Sequence, residues 1–274
     1  MTNSPLADMF DETGTVEGKL HVGDYVKYIP DVVSTDEILD EAYTYSGSGK
    51  VAAKYDTHIS QDNLNWRVLD VKDGQLRLIS EKSSGSSASA TDFYNSSHIA
   101  FANYNGYNNA VKILDDACKI LYTNKKLASN VQNLKIEDIQ EKMKTDYKSI
   151  NSNYGKTVTL PGEKYYPSIL LEEKGQKVNG KDGNKLDISE QENIVNQTEN
   201  IQADSLEVKA TYWSKYLDGE DFYNSTYYDM FYDGQSYLSS RCIDLETSYE
   251  GDNYAVFGIY SIDYGSGLFR HIYF

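Results

Sequence analysis

The most regular pattern of hydrophobic and polar positions runs through residues 103–124. Apolar side chains recur there three or four positions apart, at Ala110, Ile113, Ala117 and Leu121. This is the spacing of a helix that buries one broad face. We therefore predict that this segment is the core helix of the domain.

Asparagines mark both ends of this predicted helix. Asn105 or Asn108 could cap its first turn, because a short polar side chain accepts hydrogen bonds from the free backbone N–H groups there. Asn124 follows the last apolar position, where the helix is expected to stop. Cys118 then points inward or along the helix edge, and Cys242 is the only other cysteine of the chain.

A second strong pattern predicts a β-hairpin over residues 66–80. The runs WRVLDV and LRLIS flank Asp73-Gly74. An Asp-Gly pair between two apolar runs supplies the positive φ angles of a tight hairpin turn. The sequence alone therefore predicts the position of this turn.

Weaker patterns predict the remaining elements. Residues 21–28 alternate like a strand, residues 135–147 form a smaller amphipathic helix, and residues 165–171, interrupted by Pro167, form an edge strand or extended segment. Residues 31–63 are weakly patterned. Short apolar pieces that predict strands near the C-terminus lie at 237–238, 255–259 and 268–269.

Composition divides the chain into an arm, one domain and an insertion. Residues 1–20 are mostly polar and acidic, which predicts a flexible N-terminal arm. Residues 172–204 are charged and rich in amides, with few large apolar groups, and are typical of a polar surface insertion. We expect a single domain over residues 21–274 that carries this insertion.

The charge balance restricts the partners. The chain has 42 acidic and 26 basic residues and a formal net charge of −16. Phosphate backbones and anionic lipid repel such a polyanion, so we expect no nucleic acid and no membrane surface as partner. No run of 18 apolar residues predicts a membrane span. The first residues lack the pattern of a signal peptide, so we expect either a cytoplasmic chain or a mature form whose leader has been removed.

Motifs for metal, phosphate or nucleophilic chemistry fail on spacing. GSGK at residues 47–50 lacks the first glycine and the hydroxyl residue of a phosphate loop. In the acidic segment 179–192, an EF-hand alignment on Gly183 puts Ser189 where the loop needs glutamate. The histidines are scattered, and no G-x-S-x-G or C-x-x-C occurs. We predict no catalytic residue, no metal and no cofactor.

The residues alone leave two interpretations of Cys118 and Cys242. They are two free, buried thiols that behave as small hydrophobes, or they form a disulfide that closes a long loop, worth roughly 4–5 kcal/mol in the chain-entropy treatment. A catalytic thiol is a third option, but Asp115, Asp116 and Asp244 are the charged residues near these cysteines in sequence. Acidic neighbours do not lower a thiol pKa.

Tyrosine supplies the candidate binding residues. The chain has 25 tyrosines, and residues 223–274 are dense in Tyr, Asp, Ser and Gly. Such a composition gives rigid aromatic area and adaptable hydrogen bonds, as in contact surfaces, although tyrosines also fill thin sheet domains. The predicted ligand-binding residues are Tyr223, Tyr227, Tyr228, Tyr232, Tyr249, Tyr254, Tyr260 and Tyr264.

A series of phrases supports a family resemblance. They include GDYVKY from Gly23, WRVLDVKDGQLRLISEK from Trp66, NGYNNAVKILDDACKILYTN from Asn105, YYDMFYDG from Tyr227 and YLSSRC from Tyr237. In this order they resemble a family of surface, pseudopilin-like and phage-associated proteins from gut Firmicutes. The C-terminal half is similar to the formylglycine-generating-enzyme branch of the C-type lectin fold.

The resemblance implies an α+β, C-type-lectin-like fold, with a twisted antiparallel sheet, two packed helices and long irregular loops. It also implies that Cys242 is the disulfide partner of Cys118. The calcium motifs of lectins are absent, and the C-terminal half has one cysteine where the oxidase needs two. Neither calcium-dependent sugar binding nor oxidase activity is therefore implied.

We predict a non-enzymatic, extracellular or virion-surface binding module of the adhesin or receptor-binding type. Its tyrosine-rich surface would contact a glycan or a protein on a cell surface. One alternative is an enzyme, either a glycan hydrolase or a formylglycine-type oxidoreductase. The other is a structural subunit of a pilus or virion.

Overall fold

A computed structural model describes residues 5–32, 37–46, 51–59, 61–83, 104–128, 130–161, 164–175, 200–203, 205–232, 236–262 and 269–273. Five α-helices and a set of antiparallel strands in this part of the chain confirm the predicted α+β class. The elements are β1 (Tyr25–Val26), β2 (Glu37–Ser46), β3 (Val51–Ile59), β4 (Trp66–Lys72), β5 (Gln75–Ser80), α1 (Tyr104–Tyr122), α2 (Ile136–Gln140), α3 (Tyr147–Ile150), β6 (Thr157–Leu160), β7 (Lys164–Pro167), α4 (Ser168–Glu173), β8 (Asn200–Ala203), β9 (Leu206–Lys209), α5 (Ser225–Phe231), β10 (Ser236–Thr247), β11 (Asn253–Ile262) and β12 (Phe269–Tyr273).

The central sheet is formed by β10, β11 and β12 in that order. β10 and β11 form a long antiparallel hairpin, paired from Ser236↔Ile262 to Thr247↔Asn253. β12 pairs with the other side of β11. A second three-stranded sheet has the order β1-β4-β5, and two-stranded sheets are formed by β2-β3, β6-β9 and β7-β8.

The two faces of the central sheet bury different helices. Ile243, Phe257 and Ile259 lie on one face, since side chains alternate along a strand. They share hydrophobic clusters with Tyr107 and Ile113 of α1. This packing confirms the predicted core helix.

The opposite face is covered by α2 and α5. Leu238, Cys242 and Tyr260 lie there and share a hydrophobic cluster with residues of both helices. Trp213, which is almost completely buried, belongs to the same cluster. The sheet is therefore the middle layer between α1 on one side and α2 with α5 on the other.

The outer edge of β10 is bonded to irregular segments. The N–H of Ser239 donates to the carbonyl of Leu134 at 2.9 Å. The N–H groups of Thr211 and Tyr212 donate to the carbonyl of Ile243 at 2.8 and 3.0 Å. The N–H of Ile243 in turn donates to Thr211 Oγ1 at 2.8 Å. These bonds satisfy the N–H of Ser239 and both the N–H and the carbonyl of Ile243 on the side of β10 that faces away from β11.

The β4–β5 hairpin is confirmed at the predicted place. Lys72 pairs with Gln75, and between them Asp73 and Gly74 have φ angles of 51° and 72°. Positive φ at both central residues is the backbone of the type I′ turn that two-residue hairpins favour. The dipeptide therefore determines the turn, as the sequence predicts.

A buried charge network joins this hairpin to α2. The Arg77 guanidinium donates to both carboxylate oxygens of Asp70, each at 2.5 Å, and to Asp138 Oδ1 at 2.7 Å. Lys142 also pairs with Asp70, and its ammonium lies 5.3 Å from the centre of the Tyr227 ring. Burial raises the pKa of Asp70, but the hydrogen bonds from Arg77 and Lys142 lower it by more, so the net shift is downward.

Several predicted boundaries differ from the structure. α1 begins at Tyr104, so Asn105 and Asn108 lie inside the helix and the predicted caps are wrong. Asn124 does follow the helix end, and its Oδ1 accepts from the N–H groups of Lys126 and Leu127, each at 3.0 Å.

The predicted helix over residues 135–147 is shorter than expected. α2 ends at Gln140, because the following backbone bonds to another segment. The N–H of Lys144 donates to the carbonyl of Asp221 at 2.8 Å, and the N–H of Tyr223 donates to the carbonyl of Lys142 at 3.0 Å.

Three further segments differ from their predicted structure. The weakly patterned residues 31–63 contain the β2–β3 hairpin. Residues 165–171 are not one strand, because β7 ends at Pro167 and α4 follows. Of the predicted insertion at 172–204, residues 200–203 form β8 beside β7, whereas residues 176–199, and with them the acidic segment 179–192, lie outside the described residues.

The described part of the N-terminal arm is bonded to itself. The N–H of Asp11 donates to the carbonyl of Leu20 at 2.8 Å, and the N–H of Leu20 donates to the carbonyl of Met9 at 2.8 Å. The carboxylate of Asp11 accepts from the N–H groups of Thr15 and Val16, each at 2.8 Å. These hydrogen bonds hold the pKa of Asp11 at about 2.

Candidate binding surface

Two of the predicted ligand-binding tyrosines lie in the core. Tyr227 and Tyr260 expose 5% and 2% of their surface. The Tyr260 hydroxyl donates to the carbonyl of Thr211 at 2.6 Å and accepts from the N–H of Trp213 at 3.1 Å. Both rings fill the layer between the central sheet and its helices, so neither is available for surface contact. Tyr264 lies outside the described residues.

Helix α5 determines which tyrosines face outward. Asn224 caps it, and its Oδ1 accepts from the N–H of Thr226 at 2.9 Å. With the helix fixed in this register, Tyr227, Met230 and Phe231 are buried. Tyr228 lies one position away from Tyr227 and is therefore on the adjoining, partly exposed side.

Outward-facing tyrosines cluster around this helix. Tyr228 and Tyr232 are four residues apart, and their rings stack with centroids 5.1 Å apart and an interplanar angle of 15°. Tyr223, just before the cap, exposes 69% of its surface. We define the α5 surface by its partly or fully exposed tyrosines and carboxylates: Tyr216, Tyr223, Tyr228, Tyr232, Asp218, Glu220 and Asp229.

A short 3₁₀ turn, Gly219–Asp221, packs beside α5 and supports this surface. The Tyr228 ring lies next to Gly219 and its centroid is 6.4 Å from that of Phe222, which is buried. Asp218 caps the turn by accepting from the N–H of Glu220 at 3.0 Å. The exposed rings are therefore carried by backbone that has its own hydrogen bonds.

Asp221 anchors the turn to the core. The Tyr147 hydroxyl donates to Asp221 Oδ1. The ammonium of Lys215 lies 3.0 Å from Asp221 Oδ2, an ion pair without hydrogen-bond geometry, and 5.1 Å from the centre of the Tyr147 ring. The Tyr147 ring stacks on Trp213 at 6.1 Å. This brace connects the α5 surface to the buried indole.

The members of the brace keep their ordinary protonation states at neutral pH. Burial raises the pKa of Asp221, but the hydrogen bond from Tyr147 and the charge of Lys215 lower it by more, so Asp221 is ionised. Burial and the hydrogen bond to Asp221 raise the pKa of Tyr147. The phenol therefore keeps its proton at neutral pH and cannot act as a base.

Tyr249 and Tyr254 belong to a different surface, at the tip of the β10–β11 hairpin. Tyr249 is completely exposed. The turn below it is closed by the N–H of Ser248, which donates to the carbonyl of Asp252 at 2.7 Å. The Tyr254 hydroxyl donates to Glu246 at 2.5 Å.

The two surfaces do not merge into one. α5 comes just before the N-terminal end of β10, and the turn that carries Tyr249 follows the C-terminal end of this strand. A strand of twelve residues spans roughly 35–40 Å. The structure thus stacks Tyr228 on Tyr232, places Tyr223 just before the cap of the same helix, and leaves Tyr249 apart from them.

Sequence reasoning missed four members of the α5 surface. Tyr216, Asp218 and Glu220 precede the tyrosine-dense region that begins at residue 223, and Asp229 was one acidic residue among many. Tyr216, Asp218 and Glu220 face outward because Trp213 and Leu217, which lie beside them in sequence, are buried. No local pattern specifies which residue of such a short segment enters the core.

The predicted disulfide is absent, and both thiols are free. Cys118 belongs to α1, which packs on one face of the central sheet, and its Sγ lies 3.9 Å from Asn133 Oδ1. Cys242 points from the opposite face into the cluster that contains Tyr260. The sheet therefore separates the two sulfurs.

Neither thiol is prepared for nucleophilic chemistry. Burial and the nearby Asp115 raise the pKa of Cys118 to about 12. Burial and Asp244 raise the pKa of Cys242 well above its ordinary value. A nucleophilic cysteine needs a lowered pKa.

Within the described ranges, no group of three or more His, Cys, Asp or Glu side chains could hold a metal ion. Among the helices that the structure describes, none combines the length and hydropathy needed to cross a bilayer. No protein-family model, curated protein or solved structure matches this chain.

Proposed function

We propose that this chain is a binding module of the adhesin or receptor-binding type, extracellular or on a virion, and that the α5 surface contacts its partner. The observation that carries the proposal is the set of exposed tyrosines around α5, held on a capped and braced scaffold. Tyrosines of this kind supply large contact area with little conformational entropy to lose.

The scaffold supports binding because it is already ordered. The Asn224 cap, the Tyr228–Tyr232 stack and the Asp221 brace fix the surface without a ligand. A pre-organised surface loses less free energy to ordering when it binds.

The proposal includes the C-type-lectin-like architecture and the surface location. Their support is the ordered series of phrases that resembles the Firmicutes surface and phage-associated family, together with an antiparallel sheet between packed helices. The partner class in this proposal is a glycan or a protein on a cell surface.

The test compares the purified full chain with two variants on a glycan array and on a panel of bacterial and epithelial cells. Tyr223→Ser combined with Tyr232→Ser should weaken binding by at least about tenfold, because these side chains are the exposed anchors. Tyr249→Ser is the matched control from the hairpin tip and should leave binding unchanged.

Two outcomes contradict the proposal. Absence of binding to every glycan and cell would remove the binding function. Loss of binding in Tyr249→Ser, with normal binding of the double variant, would remove the α5 surface as the contact site.

A further inference from the structure

The α5 surface has carboxylates that form no ion pair with any described residue. Residues 211–232 contain four acidic residues and one basic residue, Lys215, which pairs with Asp221. In the part of the chain that the structure describes, no ion pair engages Asp218, Glu220 or Asp229. Negative charge beside exposed tyrosines is therefore open to a partner.

A basic side chain outside this segment also approaches the turn, but among the described residues it forms no ion pair with these carboxylates. The ammonium of Lys144 donates to the backbone carbonyl of Glu220 at 2.7 Å. It thus orders the turn through the main chain and leaves the carboxylate of Glu220 available.

The molecule already holds two of its own lysines between a tyrosine ring and a carboxylate. Lys215 lies 5.1 Å from the centre of the Tyr147 ring and 3.0 Å from Asp221 Oδ2. Lys142 lies 5.3 Å from the centre of the Tyr227 ring and pairs with Asp70. A ring face and a carboxylate attract a cation together, by cation–π and Coulomb interactions.

The α5 surface offers the same pair of groups to the outside. Asp229 and Tyr232 are three residues apart at the end of α5, which places them on neighbouring parts of the helix surface. Asp218 and Glu220 lie on the turn that packs beside Tyr228.

We propose that the α5 surface binds a protein segment rich in lysine and arginine, whose cations lie over the exposed tyrosine rings and pair with Asp218, Glu220 and Asp229. This inference rests on the proposed binding function and selects its partner class. Charge complementarity selects a basic segment, and the net charge of −16 would steer such a segment toward the chain.

The probe is a fluorescent peptide of about six arginines alternating with serine, and its affinity is measured by anisotropy at about 50 mM and about 300 mM NaCl. The test variant combines Asp218→Asn, Glu220→Gln and Asp229→Asn. The matched control combines Glu172→Gln on α4 and Glu207→Gln on β9, two elements that pack with the α1 face of the central sheet, with Glu250→Gln at the tip of the β10–β11 hairpin; all three residues are exposed. Both variants remove three negative charges.

We expect the test variant to weaken peptide binding by at least about tenfold at low salt and the control by less than about threefold. Tyr223→Ser combined with Tyr232→Ser should also weaken it, since the rings hold the cations. The loss of peptide affinity between low and high salt should be smaller for the test variant than for the wild type.

Equal weakening by the two charge variants would overturn the inference, because the peptide would then be attracted by the net negative charge of the chain and not by the carboxylates of the α5 surface. Capture of a neutral glycan, unaffected by salt and by the test variant, would also overturn it while leaving the proposed function intact. If neither peptide, glycan nor cell binds, the inference and the proposed function fail together.

Discussion

Arg77 connects three carboxylates that come from two separate elements. It pairs with Asp70 on β4, with Asp138 on α2 and with Glu141 just after that helix. Burial lowers the pKa of its guanidinium, but Asp70 and Asp138 raise it by more, so the charge is permanent. The hairpin and α2 are therefore joined by a charge network centred on Arg77, to which the pairs Lys142–Asp70 and Lys72–Glu141 also contribute.

We predict that Arg77→Gln lowers the free energy of unfolding by about 2–3 kcal/mol at neutral pH. Removing one partner of a buried ion pair costs roughly 3–5 kcal/mol, and the remaining pair of Lys142 with Asp70 reduces this loss. Urea unfolding followed by tryptophan fluorescence measures it. The control Lys112→Gln removes an exposed pair with Asp116 and should cost less than about 0.5 kcal/mol.

The loss of stability caused by Arg77→Gln should depend on pH, and the pKa of Asp70 determines in which direction. The pKa of Asp70 is lowered on folding from its ordinary value of 3.8. Its stabilisation is therefore complete above that value and is lost as the pH falls through the folded-state pKa. The difference between wild type and Arg77→Gln should shrink from pH ~4 toward pH ~2. A difference that stays constant would show that Asp70 is not the main partner.

At the scale of elements, Gly23 joins the N-terminal part of the chain to α5. Its N–H donates to the carbonyl of Val68 at 2.8 Å, and its φ is +87°. A Cβ at this position would lie 2.3 Å from Thr226 Cγ2 and 2.8 Å from Arg67 Nη2. Only glycine allows the segment just before β1 to approach α5 this closely.

We predict that Gly23→Ala lowers the free energy of unfolding by at least about 2 kcal/mol, from backbone strain and overpacking together. Gly18→Ala is the control, because Gly18 has a φ of +78° but no atom within 4 Å of its Cβ position. It should cost only about 1 kcal/mol. Equal losses in thermal or urea unfolding would show that the contact with α5 is not tight.

Elements with strong local signals were predictable, and those with weak patterns or with partners distant in sequence were not. Asp73-Gly74 determines its turn within the dipeptide, and the apolar spacing of α1 is complete within one segment. The strands of β2 and β3 carry no comparable alternation, and their register is set by pairing with each other. The end of α2 is set by bonds to residues 221 and 223, which no local pattern contains.

The same limit of sequence-based prediction applies to single residues of the α5 surface. Tyr227 is buried and Tyr228 is partly exposed, although they are adjacent and identical. The abundance of tyrosine indicated a contact region, but the packing of α5 on the sheet decides which rings face outward. Sequence therefore predicted three tyrosines of the α5 surface, Tyr223, Tyr228 and Tyr232, and missed Tyr216 and the three carboxylates.

At the scale of the whole molecule, the central sheet separates two chemical environments. Cys118 lies with α1 on one side, and Cys242 lies with Trp213 and Tyr260 on the other. The layers are held by packing and hydrogen bonds across the sheet, without a covalent link between these cysteines.

We predict that both thiols react slowly with iodoacetamide at pH ~8 in the native protein and rapidly in urea. For Cys118, whose pKa is about 12 against an ordinary value of 9.0, the native thiolate population should be about a thousandfold lower. Intact mass and peptide mapping measure the reaction. Non-reducing digestion should yield no peptide that links the two cysteines, and its detection would contradict this arrangement of layers.

The bonded outer edge of β10 has a consequence for how copies of the chain could join. A sheet grows by adding strands at an edge, and at β10 the backbone groups of Ser239 and Ile243 already bind other segments. Within the described residues, β12 pairs only with β11. Strand addition along the middle of β10 would therefore have to displace these bonds, whereas the described residues leave the outer edge of β12 without a neighbouring strand. Two copies joined at β12 in antiparallel fashion would form a symmetric pair in which the two central sheets become continuous.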